Sequence, residues 1–245
     1  MNQRNLEIFS LLVLMVLVLT APVAASKPEE EKVLWEKAGF VNPQIEYIDS
    51  SHFYRNSKRS FSHRFDLTVV MFRESEWRKK VILKRLKRVA DIYAQCGIRI
   101  GSLKFVTAGA PGGMVDFGHP GGRDSKIAQL VPATAKPIFF YFRSIPQFNA
   151  YAWPEHTHND EIPDAIKNTA WFSLSVAMPL NRKIRHPNYV SEAHELGHIL
   201  LDSLDHAPEG VGNLMSERYD LVNDQLTEEQ CRKIKNHHLV RAVDK

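Results

Sequence analysis

The sequence predicts an α+β protein, in which a twisted mixed β-sheet packs on two long helices beside a small C-terminal subdomain. Three observations support this fold class. An apolar run, a long amphipathic segment and a second apolar run follow one another, which is a strand–helix–strand order. Two further aromatic-rich runs lie in the middle of the chain. The last third holds one apolar helical segment and one polar closing segment.

The first 25 residues have the composition of a signal peptide. Met1–Glu7 is polar, an almost unbroken apolar run extends from Ile8 to Leu19, and small residues precede Ser26. The run is shorter than the roughly 20 apolar residues that span a bilayer. Small residues at its end suit cleavage by signal peptidase after Ala25. We therefore predict an exported protein, periplasmic or secreted, with no stable membrane anchor once the signal is removed.

The rest of the chain divides into an N-terminal extension over residues 26–60 and one folded domain over residues 61–245. The segment from Ser26 to Arg59 is polar and shows no clear period. The formal net charge of +4 is too small to indicate a polyanionic partner. A basic run between Arg78 and Arg88 lacks any aromatic or groove-reading motif, so it is typical of a solvated helix face. We predict no nucleic-acid partner.

The domain opens with a strand, a helix and a second strand. Phe65–Phe72 is rich in β-branched and aromatic residues, as a buried strand requires. Glu74–Gln95 has apolar residues at helical spacing with Lys and Arg between them, which predicts one long helix ending near Gly97. Gly97–Val106 is the second strand. Because the helix connects the two strands directly, we expect them to be parallel neighbours.

Two further strands and a closing helix complete the predicted elements. The strands are Pro137–Arg143 and Asn168–Val176, and the polar segment between them has the composition of a loop. The closing helix is predicted over Asp224–His238. These elements extend the sheet and form the C-terminal subdomain.

The residues that indicate chemistry lie in an apolar segment after Tyr189. His194 and His198 are four positions apart, so on a helix both imidazoles share one face and can bind a single zinc ion. Glu195 is placed to take a proton from water rather than to bind the ion. Gly197 costs about 1 kcal/mol relative to Ala inside a helix, which indicates a packing requirement. This pattern predicts a catalytic site with one Zn²⁺ per chain.

A methionine, Met215, follows in a turn punctuated by glycines. With the His-Glu-Leu-Gly-His helix before it, the sequence resembles the metzincin class of zinc peptidases, over most of residues 65–238. The resemblance implies a zincin fold, with His194 and His198 as the first two zinc ligands and Glu195 as the general base. It also implies that Met215 lies beneath the metal.

The third ligand is the point at which the sequence departs from the family pattern. There, a third histidine follows the second by six residues after a helix-ending glycine, but these positions are Leu204 and Leu201 here. His206 is the nearest histidine, and we predict it as the third ligand if the chain turns back after a longer helix. Asp205 and Glu217 remain alternatives because carboxylates also bind zinc.

Asp202 has two open interpretations. A metal-bound histidine usually donates its second N–H to a carboxylate or a carbonyl, so Asp202 is a candidate for that partner. It is equally suited to ending the helix.

The resemblance implies a zinc metallopeptidase of an exported bacterial type, with a metalloendopeptidase as the expected activity on peptide or protein substrates. It also implies that Asn168–Val176 is the edge strand along which an extended substrate adds. A catalytically silent, zinc-containing binding or inhibitory protein on the same scaffold is the alternative, and the intact Glu195 argues against it. We expect a monomer.

Two cysteines, Cys96 and Cys231, lie in the part of the chain that we expect to be exported. An even pair in an oxidising compartment favours a disulfide, and two buried thiols are the alternative. Zinc ligation by this pair is not favoured, because neither cysteine lies near a second one.

Overall fold

A computed structural model of the protein describes residues 28–55, 57–113, 123–131, 136–143, 149–156, 163–176, 190–207, 212–217 and 222–243. The predicted signal peptide lies outside these residues. The chain divides into the units Met1–Glu31 and Lys32–Lys245, and the sheet and the candidate site belong to the second. Among the described residues, no helix is both long and apolar enough to cross a membrane.

The described residues form five helices and seven strands. The helices are α1 (Pro28–Lys37), α2 (Lys79–Tyr93), α3 (Arg123–Leu130), α4 (Ser191–Leu201) and α5 (Glu228–Asn236). The strands are β1 (Val41–Ile48), β2 (His63–Phe72), β3 (Ile98–Gly109), β4 (Ile138–Phe142), β5 (Ala150–Trp153), β6 (Thr169–Ser173) and β7 (Arg241–Ala242). All four strands and both long helices predicted from the sequence are present.

One mixed sheet organises these elements, in the order β1-β3-β2-β4-β6-β5 with β7 paired to the start of β2. The four central strands, β3, β2, β4 and β6, run parallel to one another. The strands at both ends, β1 and β5, run antiparallel to their neighbours. The α+β class with a mixed sheet is therefore confirmed, and so is the predicted parallel pair around α2.

Alternation along the strands gives the sheet two apolar faces. One face packs against α2 and α4 and includes Phe65, Leu67 and Val69 of β2. The other face is rich in aromatic rings, with Phe140 stacked on Trp171 at a centroid separation of 4.2 Å. Helix α4 is thereby held against the sheet, and its histidines are carried by a buried element.

Helix α2 is shorter than the predicted span of Glu74–Gln95, because left-handed residues limit it at both ends. Glu76 has a φ of 64° and Gly97 a φ of 68°. Single 3₁₀ turns at Arg73–Ser75 and Ala94–Cys96 occupy the remaining positions. The prediction that the helix ends near Gly97 is confirmed, since glycine adopts this conformation without strain.

The segment predicted as an N-terminal extension contributes to the sheet. β1 pairs antiparallel with β3 from Val41 to Ile48. Its side chains are mostly exposed, because an edge strand needs few apolar contacts. Trp35 and Phe40, just before it, are buried with the aromatic face of the sheet. The sequence shows no regular spacing of apolar residues here because few side chains of β1 are buried.

The prediction that Asn168–Val176 forms the edge of the sheet is wrong. β6 lies between β4 and β5, and the edge strand is Ala150–Trp153, within the segment predicted as a loop. This strand is only four residues long and only one of its side chains is fully buried. A strand so short leaves no alternation that could be recognised in the sequence.

The closing helix α5 is shorter than the predicted Asp224–His238. It begins after Thr227, where the two ends of a capping box meet. The Thr227 hydroxyl accepts from the main-chain N–H of Gln230, and the Gln230 side-chain oxygen accepts from the main-chain N–H of Thr227. A disulfide joins Cys231 of this helix to Cys96, with a Cα–Cα distance of 5.1 Å. The predicted pairing is confirmed. It ties the C-terminal subdomain to the end of α2.

Candidate zinc site

Helix α4 is almost completely buried along its length, with only Leu201 partly exposed at its end. Its apolar residues, including Leu196, Ile199 and Leu200, belong to the core between the sheet and α2. Two polar contacts add to this packing. Arg85 of α2 donates to the buried Glu192 carboxylate at 2.5 Å, and the Tyr93 hydroxyl donates to the Ala193 carbonyl at 3.0 Å. The position of α4 is therefore set by long-range contacts.

The two histidines of α4 face the same point. Their Nε2 atoms are 3.1 Å apart, as the i, i+4 spacing on one helix face predicts. Each is about 5% exposed, His194 at 5% and His198 at 4%.

His206 joins this pair from the loop that follows the helix. Its Nε2 lies 3.3 Å from Nε2 of His194, and the ligand atoms of the three histidines all lie within 4.8 Å of one another. The chain turns back at Asp202, which adopts the left-handed conformation with φ 53° and ψ 46°. Ser203 N–H then donates to the His198 carbonyl at 3.1 Å, which closes the end of the helix. This turn brings His206 back to the two histidines of the helix.

The opposite nitrogens of the three rings show which tautomers are present. His194 Nδ1 lies 2.7 Å from the Leu214 carbonyl oxygen, and His198 Nδ1 lies 2.8 Å from that of Ser203. A carbonyl oxygen only accepts, so each Nδ1 must carry the hydrogen. His206 Nδ1 faces a Glu217 carboxylate oxygen at 3.1 Å, which favours the same tautomer. The three Nε2 lone pairs therefore point towards one another.

The electrostatics of the helix pair favour a metal over protons. Burial, and secondly the neighbouring His198, lower the pKa of His194 to about 3. Burial likewise lowers the pKa of His198 to about 4. Both imidazoles are thus neutral near pH 7, which is the form that binds a metal.

The arrangement fits zinc. Imidazole nitrogens at the usual zinc–nitrogen length in a tetrahedral site are separated by roughly 3.3 Å. The Nε2 separations of 3.1 and 3.3 Å around His194 agree with this value. Three histidine nitrogens are also the protein ligands of one class of catalytic zinc site.

Glu195 lies between the two helix ligands in the sequence and is 7% exposed. Its position next to His194 places the carboxylate on the helix turn that bears both ligands.

Met215 lies under the helix, where it explains Gly197. A Cβ on Gly197 would come within 3.0 Å of the Met215 sulfur, closer than real Cβ atoms approach other atoms. Met215 is only 2% exposed. The packing requirement inferred from the glycine is therefore the methionine side chain, and the same turn supplies the Leu214 carbonyl that holds His194.

The turn around Met215 is braced by the closing helix. Asn213 Oδ1 accepts from Met215 N–H at 2.8 Å, and the side-chain amides of Asn213 and Gln230 form two hydrogen bonds with each other at 3.2 Å. Leu214 N–H donates to the Gln225 carbonyl at 2.7 Å. Hydrogen bonds from the C-terminal subdomain thus fix the position of the turn beneath the histidines.

The alternatives for the third ligand lie outside the converging group. Asp205 accepts from the Ser203 hydroxyl at 3.0 Å within the loop. Glu217 contacts the far side of the His206 ring. Asp202 ends the helix and accepts from the His156 backbone N–H at 2.8 Å and from the His156 ring, so its hydrogen bonds are to a residue outside the three-histidine group. The histidine partners are instead two carbonyls and Glu217, and carbonyls leave no signal in a sequence.

Comparisons with known proteins reach only the fold. No protein-family model matches the chain, and no curated protein sequence matches it. Among solved structures, the chain is similar to metalloproteinase-II from Bacteroides fragilis, with a TM-score of 0.50 and 14% sequence identity. The match covers 76% of this chain and 60% of that one, so the chain spans less than two thirds of the neighbour's length. The similarity is one of fold, and it agrees with the zincin-like fold expected from the sequence.

Proposed function

We propose that the protein is a zinc-dependent peptidase of the metzincin type, with one zinc ion held by His194, His198 and His206. The convergence of three imidazole Nε2 atoms, two of them on a buried helix, is the observation that carries this proposal. Such an arrangement is electrostatically unfavourable without a cation, because the lone pairs repel one another. The fold shared with a metalloproteinase supports the peptidase class.

The protein's own groups divide the work of peptide hydrolysis. When bound, zinc would act as a Lewis acid on the scissile carbonyl and lower the pKa of a water molecule. The Glu195 carboxylate accepts the proton of the attacking water and then delivers it to the leaving amine. The Leu214 carbonyl keeps the His194 ring in place, and Met215 packs against the helix at Gly197.

The edge strand β5 is suited to binding an extended substrate. Its Ala150 and Ala152 belong to the core on the α4 side, while Tyr151 and Trp153 belong to the opposite face. Within the described residues its outer edge is not paired to another strand. A peptide added there would be bound through main-chain hydrogen bonds, with small alanines allowing a close approach to α4. This mode favours an endopeptidase.

The test compares zinc content and peptide hydrolysis in wild type and Glu195→Gln. We expect one zinc per chain in both proteins, with hydrolysis reduced about 10²- to 10⁴-fold in the variant because the general base is lost. Glu229→Gln, on the exposed side of α5, is the matched control and should retain full activity. Undiminished turnover by zinc-loaded Glu195→Gln would contradict the assigned base, and wild type without zinc after refolding in its presence would contradict the site.

A catalytically silent zinc protein on the same scaffold is the second candidate. It predicts wild type that binds one zinc and hydrolyses no member of a mixed peptide library. The buried Glu195 beside the ligands favours the enzyme.

We also propose that the protein is exported after cleavage following Ala25. The Cys96–Cys231 disulfide supports this, because such bonds persist in oxidising compartments. N-terminal sequencing of protein recovered from the periplasm or medium tests it, and an intact Met1 would contradict it.

A further inference from the structure

The three histidines differ in what holds their second nitrogen. His194 and His198 are buried and donate to main-chain carbonyls, at 2.7 and 2.8 Å. The His206 side chain is 32% exposed and lies on a loop. Its Nδ1 faces the side chain of Glu217, two residues after Met215, at 3.1 Å. The least constrained ligand is thus the one with an anionic partner.

We propose that Glu217 is a positioning residue for the third zinc ligand, which holds the His206 ring so that Nε2 faces the other two histidines. This inference rests on the proposed function. An imidazole that donates Nδ1–H to a carboxylate is fixed in one tautomer and becomes a stronger donor at Nε2. The carboxylate also lowers the net positive charge of a loaded three-histidine site.

The backbone explains why Glu217 lies at this place. Ala207 N–H donates to the Met215 carbonyl at 2.8 Å, so the residue after His206 is bonded to the methionine turn. Ser216 N–H donates to the Asn213 carbonyl at 3.1 Å, which closes the turn. The two segments therefore lie side by side, with Glu217 opposite His206.

Glu217 acts on the metal only through the ring. It contacts Nδ1, whereas the convergence point lies at Nε2 on the other side of the imidazole. Its side chain is 76% exposed, so as an ordinary surface ion pair it would contribute little to folding stability. The two roles are separable: a positioning role changes zinc affinity, while the stability of the metal-free protein stays nearly constant.

The experiment measures zinc affinity by competition with a chromogenic chelator for wild type, Glu217→Ala, Glu217→Gln and the control Glu229→Ala. We expect Glu217→Ala to bind zinc about 10- to 100-fold more weakly. Glu217→Gln should recover part of this loss, because its amide oxygen still accepts from Nδ1–H without the charge. Glu229→Ala should bind as wild type does. The visible absorption of the cobalt-loaded proteins should change in Glu217→Ala and be restored towards wild type in Glu217→Gln.

Three results would overturn the inference. One is a zinc affinity of Glu217→Ala within twofold of wild type. Another is an equal loss in Glu229→Ala, which would indicate a general charge effect. The third is a lower melting temperature of metal-free Glu217→Ala and Glu217→Gln that accounts for their weaker binding. If wild type binds zinc and cleaves peptides and Glu217→Ala does so equally well, only this inference is refuted. If wild type binds no zinc, both proposals are refuted.

Discussion

The helix that bears two histidines and the loop that bears the third meet at one point but depend on different parts of the molecule. Helix α4 is buried against the sheet and α2, and its histidines donate to main-chain carbonyls. His206 lies on the loop after the helix, which bonds to the methionine turn through Ala207, and its partner is an exposed side chain. A carbonyl cannot be removed by substitution, so the helix pair depends on the course of the backbone, while the partner of the third histidine is a single carboxylate.

This difference indicates how the site is assembled. The packing of α4 in the core positions His194 and His198. The closing helix holds the methionine turn beneath them through Asn213 and Gln230. The disulfide between Cys96 and Cys231 fastens that helix to the end of α2. The loop brings the third histidine to this frame.

The largest expected effect concerns the buried pair in acid. In the metal-free protein the pKa values of His194 and His198 are lowered from 6.5 to about 3 and about 4. Above pH 6.5 both are neutral in the folded and unfolded states, so stability is unaffected. Below pH 6.5 the two histidines are protonated in the unfolded chain but stay neutral in the folded protein. The free energy of unfolding therefore falls as the pH drops. At pH 5 the loss is about 2 kcal/mol for each histidine.

Urea denaturation of chelator-treated protein at pH 7 and pH 5 measures this loss. The matched control is His194→Gln/His198→Gln, which lacks both groups and should lose that part of the pH dependence. If the free energy of unfolding changes equally in the two proteins between pH 7 and pH 5, burial does not keep His194 and His198 neutral. The helix histidines would then not differ from the loop histidine in this respect.

The sequence predicted the parts of the fold that have a local signal. Phe65–Phe72 and the α2 helix follow from composition and spacing, because buried central elements need apolar residues at regular intervals. β1 and β5 were missed as strands since an edge strand is half solvated and gains its place by pairing with distant residues. The wrong assignment of the sheet edge has the same cause.

The candidate site divides in the same way. The spacing of His194 and His198 is local, and on a helix it determines that they share a face. The third ligand required knowledge of a loop, so His206 had to be weighed against Asp205 and Glu217. Glu217 did carry a signal, a carboxylate just after the methionine, but its role as partner rather than ligand depends on which ring nitrogen it contacts.

A smaller effect is expected from Gly197→Ala, which tests the packing of helix α4 against Met215. The new Cβ would lie within 3.0 Å of the Met215 sulfur and must displace it or the helix. We expect a loss of about 1–3 kcal/mol in the free energy of unfolding, as for other overpacked cores. Adding Met215→Ala should make the double variant less destabilised than the sum of the two single changes. Strict additivity would mean that the methionine does not support the helix at this glycine.

The smallest effect is expected at Asp202, where the helix ends and the loop begins. Its φ of 53° is disfavoured for a residue with a Cβ, although Asp and Asn tolerate it. Asp202→Ala also removes the acceptor for His156 N–H, and together these changes should cost about 1–2 kcal/mol of unfolding free energy. Asp202→Asn keeps both the backbone preference and the acceptor, so it is the matched control and should lie near wild type.

The zinc affinity of the same variants locates the effect on the loop. Asp202 directs the chain to the Ser203 carbonyl and on to His206, so Asp202→Ala should weaken zinc binding while leaving the contact between His194 and Leu214 intact. The NMR signals of the Met215 methyl group and of the His206 ring in the zinc-loaded protein distinguish the two sides. A shift confined to His206 is expected because the methionine turn is braced from the closing helix. An equal shift at Met215 would mean that helix and loop form one unit.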